Sequence, residues 1–173
     1  AAARGGDAAK ARDAQAQLAD RFAGTGYAPR GAMLLAALLW KSGDTAGAQA
    51  QLQFALDRSD EDDLRQIARF RLAEVLFDQK KNDEALRLLD AKHDEPFAGI
   101  YADLTGDILA ASGRKDEART AYQTAIAKLD SRSPYRSYVQ LKLDSLGGPT
   151  AAVPAAPAVP AAPAAAAPAA PKQ

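Results

Sequence analysis

Ala102-Asp-Leu-Thr-Gly-Asp-Ile-Leu-Ala-Ala-Ser-Gly-Arg-Lys-Asp-Glu-Ala-Arg-Thr-Ala-Tyr-Gln-Thr-Ala-Ile126 decides the fold. Its apolar residues recur at helical steps on both sides of Ser112-Gly113-Arg114-Lys115, so it reads as a helix, a tight turn and a second helix folding back. Its pattern of small and large residues occurs twice more upstream. One set is Leu35, Ala36, Leu39, Ala48 and Leu52. The next is Leu72, Ala73, Leu76, Ala85 and Leu89, and the quoted stretch supplies Thr105, Gly106, Leu109, Ala118 and Tyr122. Small residues at the second and fourth positions let two antiparallel helices approach closely. The large ones fill the space between one hairpin and the next, because a single hairpin cannot bury its own face.

Working outward, Asp7 to Ala23 predicts a preceding helix with Ala11, Ala14, Leu18 and Phe22 as its apolar stripe, and Ala1 to Gly6 predicts a frayed end. The first hairpin starts at Pro29, turns at Ser42-Gly43-Asp44 and runs to about Leu56, with Asp44 as a helix cap. The second starts near Asp62 and turns at Lys80-Lys81-Asn82-Asp83, without the glycine of the other two. Ser133-Pro134 opens a last helix with Tyr138, Leu141, Leu143 and Leu146 as its apolar side, stopped by Gly147-Gly148. The prediction is an all-α solenoid of three helical hairpins with an extra N-terminal helix and a C-terminal capping helix, over residues 1–148. Residues 149–173 hold seven of the ten prolines and otherwise almost only alanine and valine. That composition predicts an extended, disordered tail with stretches of polyproline II.

Composition narrows the function. Twenty-two basic and 22 acidic residues cancel, which argues against a large electrostatic footprint for nucleic acid or anionic lipid. Without cysteine, neither a disulfide, a zinc-thiolate site nor a cysteine nucleophile can form. The longest apolar run, from Ala32 to Trp40, is too short to span a bilayer. The single histidine, His93, lies in a turn between Asp90 and Pro96, where a solvated role outweighs a general-base role. The acidic run Asp57, Asp60, Glu61, Asp62 and Asp63 lacks the glycine and alternation of a calcium loop, and reads as capping for the helix that follows. No catalytic, cofactor or metal constellation is predicted, and the chain reads as a non-enzyme.

The five-position pattern resembles the tetratricopeptide repeat. It departs from that repeat at the tryptophan position, filled by Ala32, Arg69 and Ala102, and in lacking the closing proline. Spacing also varies: Ala36 to Ala73 is 37 positions, Ala73 to Gly106 is 33. A narrower resemblance rests on Tyr27 to Asp44, Ala50 to Ala55, Arg69 to Ala73, Tyr101 to Leu109, Gly113 to Ala125 and Leu141 to Leu146. In order and spacing these blocks resemble the ancillary SecYEG translocon subunit family (YfgM-like). The resemblance implies a periplasmic repeat domain, a single membrane anchor upstream of Ala1, and two partners: the SecYEG translocon and a PpiD-like membrane-anchored periplasmic chaperone of the parvulin type. A generic tetratricopeptide adaptor in envelope or cell-wall assembly is the alternative.

In the repeat geometry that the resemblance implies, the first helix of each hairpin lines a concave groove. Arg30, Met33, Ala37, Trp40 and Lys41 would come from the first hairpin, Ile67, Phe70, Glu74, Phe77 and Asp78 from the second, and Ile100, Asp103 and Asp107 from the third. Met33, Trp40, Phe70 and Phe77 form an apolar group suited to a partner helix or a nonnative segment. Aromatics at helical spacing also commonly serve a core, so both roles stand open for these four.

Overall fold

Eight helices follow one another through short turns in the computed structural model, which describes residues 2–22 and 24–147, with residues 2–6 described by backbone alone. They are α1 (Ala2–Arg21), α2 (Tyr27–Lys41), α3 (Thr45–Arg58), α4 (Asp62–Asp78), α5 (Asn82–Leu89), α6 (Glu95–Ala111), α7 (Lys115–Lys128) and α8 (Pro134–Ser145). No strand occurs among the described residues. Helices α2–α3, α4–α5 and α6–α7 are the three hairpins, each stacked on the next, with α1 against α2 and α8 against α7. The architecture is an all-α tetratricopeptide-like solenoid. The proline-rich stretch 149–173 lies outside the described residues.

Small residues explain the close hairpins. Ala36 and Ala48 of the first hairpin and Ala73 and Ala85 of the second belong to one core cluster and are all at 1% exposure or less. In the third hairpin a Cβ on Gly106 would come within 2.4 Å of the Tyr122 ring. Glycine is needed there because a large aromatic already occupies the space that a side chain would take. The turns are equally consistent with their residues. Gly43 and Gly113 take positive φ values of 90° and 78° at the ends of α2 and α6. Lys80 takes φ 63° at the equivalent place after α4, so the middle hairpin makes the same left-handed turn without glycine. Asp44 caps α3 by accepting from the Gly47 N–H at 2.8 Å, and Ser133 caps α8 by accepting from Tyr135 at 3.3 Å.

Two ends of the chain differ from expectation. α1 begins at Ala2, and its alanines, the best helix formers, carry the helix through Gly5-Gly6. Its buried side is set by Ala8 and Gln15, with Ala14 and Phe22 exposed. The Gln15 amide donates to the Ala28 carbonyl at 3.0 Å, so α1 meets α2 partly through a polar residue outside the predicted stripe of Ala11, Ala14, Leu18 and Phe22. In α8 the buried residue is Val139, while Tyr138 and Leu141 are exposed. Leu143 and Leu146 pack as predicted against the cluster around Leu109 and Tyr122.

The joints between hairpins are polar and satisfied. Gln66 is buried and spans the second joint: its Oε1 accepts from the Asp94 N–H at 2.6 Å and its Nε2 donates to Asp94 Oδ2 at 2.7 Å. The Tyr101 hydroxyl donates to the Gln66 carbonyl at 2.7 Å. These bonds fix the start of α6 on α4. They explain how a glutamine can occupy the core without an orphaned polar group.

Candidate partner-binding groove

Four of the predicted groove residues come together at one cleft. Met33, Ala37, Trp40 and Lys41 of α2 line an open cavity of about 470 Å³ with Leu52 of α3 and Arg71 of α4. Helical spacing brings this about, since positions 33, 37, 40 and 41 lie on successive turns of one face. Met33 and Trp40 are half-buried and rest against the main core. They are thus seated on the core and open to solvent together. Trp40 is also held in place, because its indole Nε1 donates to Asp78 Oδ2 of α4 at 3.2 Å.

The second hairpin sets two aromatic residues on the same core. Phe70 and Phe77 are half-buried against the same core. The Phe70 ring lies 5.9 Å from that of Tyr101, and the Arg71 guanidinium stands 5.8 Å from its centroid. The Lys80 ammonium lies 6.0 Å from the Phe77 ring. Ile67 is 38% exposed. Arg71 also donates to Glu74 at 2.8 Å, and Arg30 grips Glu61 through two bonds of 2.6 and 2.5 Å. Met33, Trp40, Phe70 and Phe77 therefore rest half-buried on one core, while Arg30, Lys41, Arg71 and Asp78 are exposed. Sequence spacing alone did not point to Arg71, whose place is set by the stacking of α4 on α2.

The third hairpin is built differently. Asp103 is 2% exposed and accepts from Lys142 Nζ at 3.0 and 2.9 Å, and from the Tyr135 hydroxyl. Asp107 accepts from Lys142 at 2.7 Å and from the Tyr122 hydroxyl at 2.8 Å. Both carboxylates face α8 and are occupied by it, so Asp103 is an internal tie where an open groove position was expected. Burial works against the Lys142 charge, yet its bonds to Asp107 and Asp103 prevail and raise its pKa. Burial, and then the Asp107 carboxylate, push the Tyr122 hydroxyl up; burial and Asp103 do the same to Tyr135.

His93 is half-buried rather than solvated. Its ring stacks 4.5 Å from that of Tyr101, and Nδ1 lies 3.0 Å from the Ala91 carbonyl. No nucleophile stands beside it in these contacts. Glu61 precedes α4 without a side-chain cap, while Asp62 and Asp63 occupy the first turn, where they favour the helix dipole. Among the described residues no three His, Asp or Glu side chains form a metal-holding group, and no helix is long and apolar enough to cross a membrane.

The repeated hairpins agree with the sequence match, which covers residues 1–148 with the tetratricopeptide repeat-like domain family. The chain belongs to that family. Within the tetratricopeptide repeat-like proteins it is similar to ancillary SecYEG translocon subunits. It is 35% identical over 99 residues to that of Neisseria gonorrhoeae, covering 57% of this chain and 47% of the relative. It is 35% identical over 99 residues to that of Escherichia coli, covering 57% and 48%. A third, from Haemophilus influenzae, is 37% identical over 82 residues, covering 47% and 40%. The matched stretches thus span about half the length of these relatives or less.

Proposed function

We propose that the chain is a noncatalytic protein-interaction scaffold at the periplasmic side of the bacterial inner membrane, working beside the Sec translocon. In this reading an anchor upstream of Ala1 holds the repeat domain there. Its partners are the SecYEG translocon and a PpiD-like chaperone of the parvulin type, and it assists translocated proteins. The cleft between α2 and α4 carries the reading. It presents the chain's only tryptophan and only methionine on a rigid core, as an anchor for an apolar partner segment needs. Phe70 and Phe77 extend the floor, and Arg30, Lys41, Ile67, Glu74 and Asp78 supply the rim. The names carried by the relatives support the translocon as the setting.

Two experiments test the proposal. The full-length, membrane-anchored protein is expected to co-purify with the translocon and the chaperone from membranes in mild detergent; recovery of neither overturns the setting. A cleavable signal found upstream in place of an anchor would favour the envelope adaptor. The groove is tested separately. Trp40→Ala or Phe77→Ala is expected to weaken partner binding about thirtyfold, the roughly 2 kcal/mol of an aromatic anchor, while the helical circular-dichroism signal survives. Equal affinity in both variants removes the groove from the account.

A further inference from the structure

The middle hairpin departs from the other two at one pair of positions. Aligned on Ala48, Ala85 and Ala118, the second helices start together, but α5 has 8 residues where α3 and α7 have 14. In the first hairpin Ala55, on the far half of α3, packs in one cluster with Ala32 of α2, and both are fully buried. In the third, Ala125 is fully buried in a cluster that Ala102 of α6 joins. At the same two places the middle hairpin has Arg69 and Lys92. α5 has already ended before Lys92, and the pair meets through the backbone: Arg69 Nη1 donates to the Lys92 carbonyl at 3.2 Å. A guanidinium and an ammonium thus belong to positions where the outer hairpins pack two methyl groups.

An open cavity of about 270 Å³ lies there, with Arg65, Arg69, Lys92 and His93 in its lining beside Asp62, Gln66 and Asp94. Both carboxylates are already engaged, Asp62 by Arg65 and Asp94 by Gln66 Nε2 at 2.7 Å. Among the described residues neither Arg69 nor Lys92 takes part in an ion pair. The bond to the Lys92 carbonyl uses one of the five N–H donors of the Arg69 guanidinium. Arg69 is half-buried. Gln66 is buried, and so is Tyr101, on which the His93 ring stacks. Charges with such a wall behind them are screened less than charges in open solvent. Arg65, Arg69 and Lys92 against Asp62 and Asp94 leave one positive charge in excess, and His93 adds no negative one. A single carboxylate balances that excess, whereas a phosphate dianion overshoots it. The planar fork of an arginine also fits the two oxygens of a carboxylate.

We propose that this cavity is a binding site for one carboxylate group, held between Arg69 and Lys92. An acidic side chain of a partner protein and a free organic acid both present that group, and the test separates them. The full chain is titrated at constant ionic strength with sodium acetate and with the capped tripeptide Gly-Glu-Gly, against sodium chloride and the capped tripeptide Gly-Gln-Gly. Both carboxylates are expected to move the nuclear magnetic resonance signals of the Arg69, Lys92 and His93 amides saturably, the glutamate peptide at about millimolar half-saturation. Chloride and the glutamine peptide should leave them in place. Tighter binding of the glutamate peptide than of acetate assigns a protein partner; equal or weaker binding assigns a free acid. Lys92→Gln, on an exposed side chain, should weaken binding about tenfold with the rest of the spectrum unchanged, and Arg69→Gln should abolish it. Three results would overturn the proposal: no saturable shift with either carboxylate, a shift that Lys92→Gln leaves at full strength, or tighter binding of inorganic phosphate than of acetate. The cavity shares no residue with the cleft between α2 and α4, so Trp40→Ala should leave this titration unchanged and the two experiments fail independently.

Discussion

The first and third hairpins put equivalent positions to opposite uses. Met33 on α2 and Asp103 on α6 occupy the same place in their repeats, each one residue after the position where the repeat pattern has tryptophan (Ala32 and Ala102). Ala37 and Asp107 likewise correspond. At the first hairpin these positions open into a cleft lined by Met33, Trp40 and Arg71. At the third they are carboxylates gripped by Lys142 of α8. Backbone geometry therefore does not decide whether an equivalent position stays open or is tied. What decides is whether the next helix brings a side chain that satisfies it. The first hairpin leaves its cleft open, and the third uses its polar groups inside the chain.

Removing the tie should have the largest effect. Lys142→Ala leaves the Asp103 carboxylate, with 3% of its side chain exposed, without its counter-charge. Stranding one partner of a buried pair costs about 3 kcal/mol, and the loss should appear first as α8 amides that exchange with solvent. Adding Asp103→Asn to Lys142→Ala should recover part of it, because the stranded charge goes too. If the single variant unfolds at an unchanged denaturant concentration, the tie is decoration and the contrast between the two ends fails.

Alkali should separate the ends with a smaller effect. Lys142, Tyr122 and Tyr135 all have folded pKa values above their ordinary ones, 10.5 for the lysine and 10.0 for the tyrosines. Tyr101 of α6 is raised too, chiefly by burial. As pH passes those ordinary values the unfolded chain loses protons that the folded chain keeps. The unfolded state then binds fewer protons, so the stability of folding falls with rising pH. These contributions are complete below about pH 10 and are lost above it, and all four groups lie on α6, α7 and α8. Tyrosinate absorbance and α8 helicity should therefore change at lower pH than the emission of Trp40, the sole tryptophan, in the first hairpin. Coincident transitions would show one cooperative unit, with no weaker end.

The contrast between the ends also marks what could be read from the sequence. The repeat was legible because close helix packing leaves a local trace: Ala36, Ala48, Ala73, Ala85 and Ala118 are small for a reason that operates within one hairpin. The turns were legible too, including the one built on Lys80 in place of glycine. The sides of the end helices were not. α8 offers two rival stripes, one through Tyr138 and Leu141 and one through Val139, Leu143 and Leu146; only the helix beneath it selects the second. The Lys142 tie joins residues 39 and 35 positions apart, with no periodic signal to announce it. Arg71 reached the cleft by the same kind of long-range placement.

The smallest effect should come from the ion pair that most resembles the tie on paper. Arg71 and Glu74 meet at 2.8 Å, close to the 2.7 and 2.9 Å of Lys142 with Asp107 and Asp103. The Arg71 side chain, however, is 53% exposed against 17% for Lys142. Water already solvates the guanidinium, and the basic residue precedes the acidic one along the helix, the weaker order for such a pair. Arg71→Ala should therefore cost less than about 0.5 kcal/mol in denaturant unfolding. Under the proposed function its consequence belongs to binding, because Arg71 lines the cleft. Removing it should change affinity for a partner segment more than it changes folding, whereas Lys142→Ala should do the reverse. A variant series in which both substitutions moved stability equally would mean that contact distance, and not burial, sets the worth of these pairs.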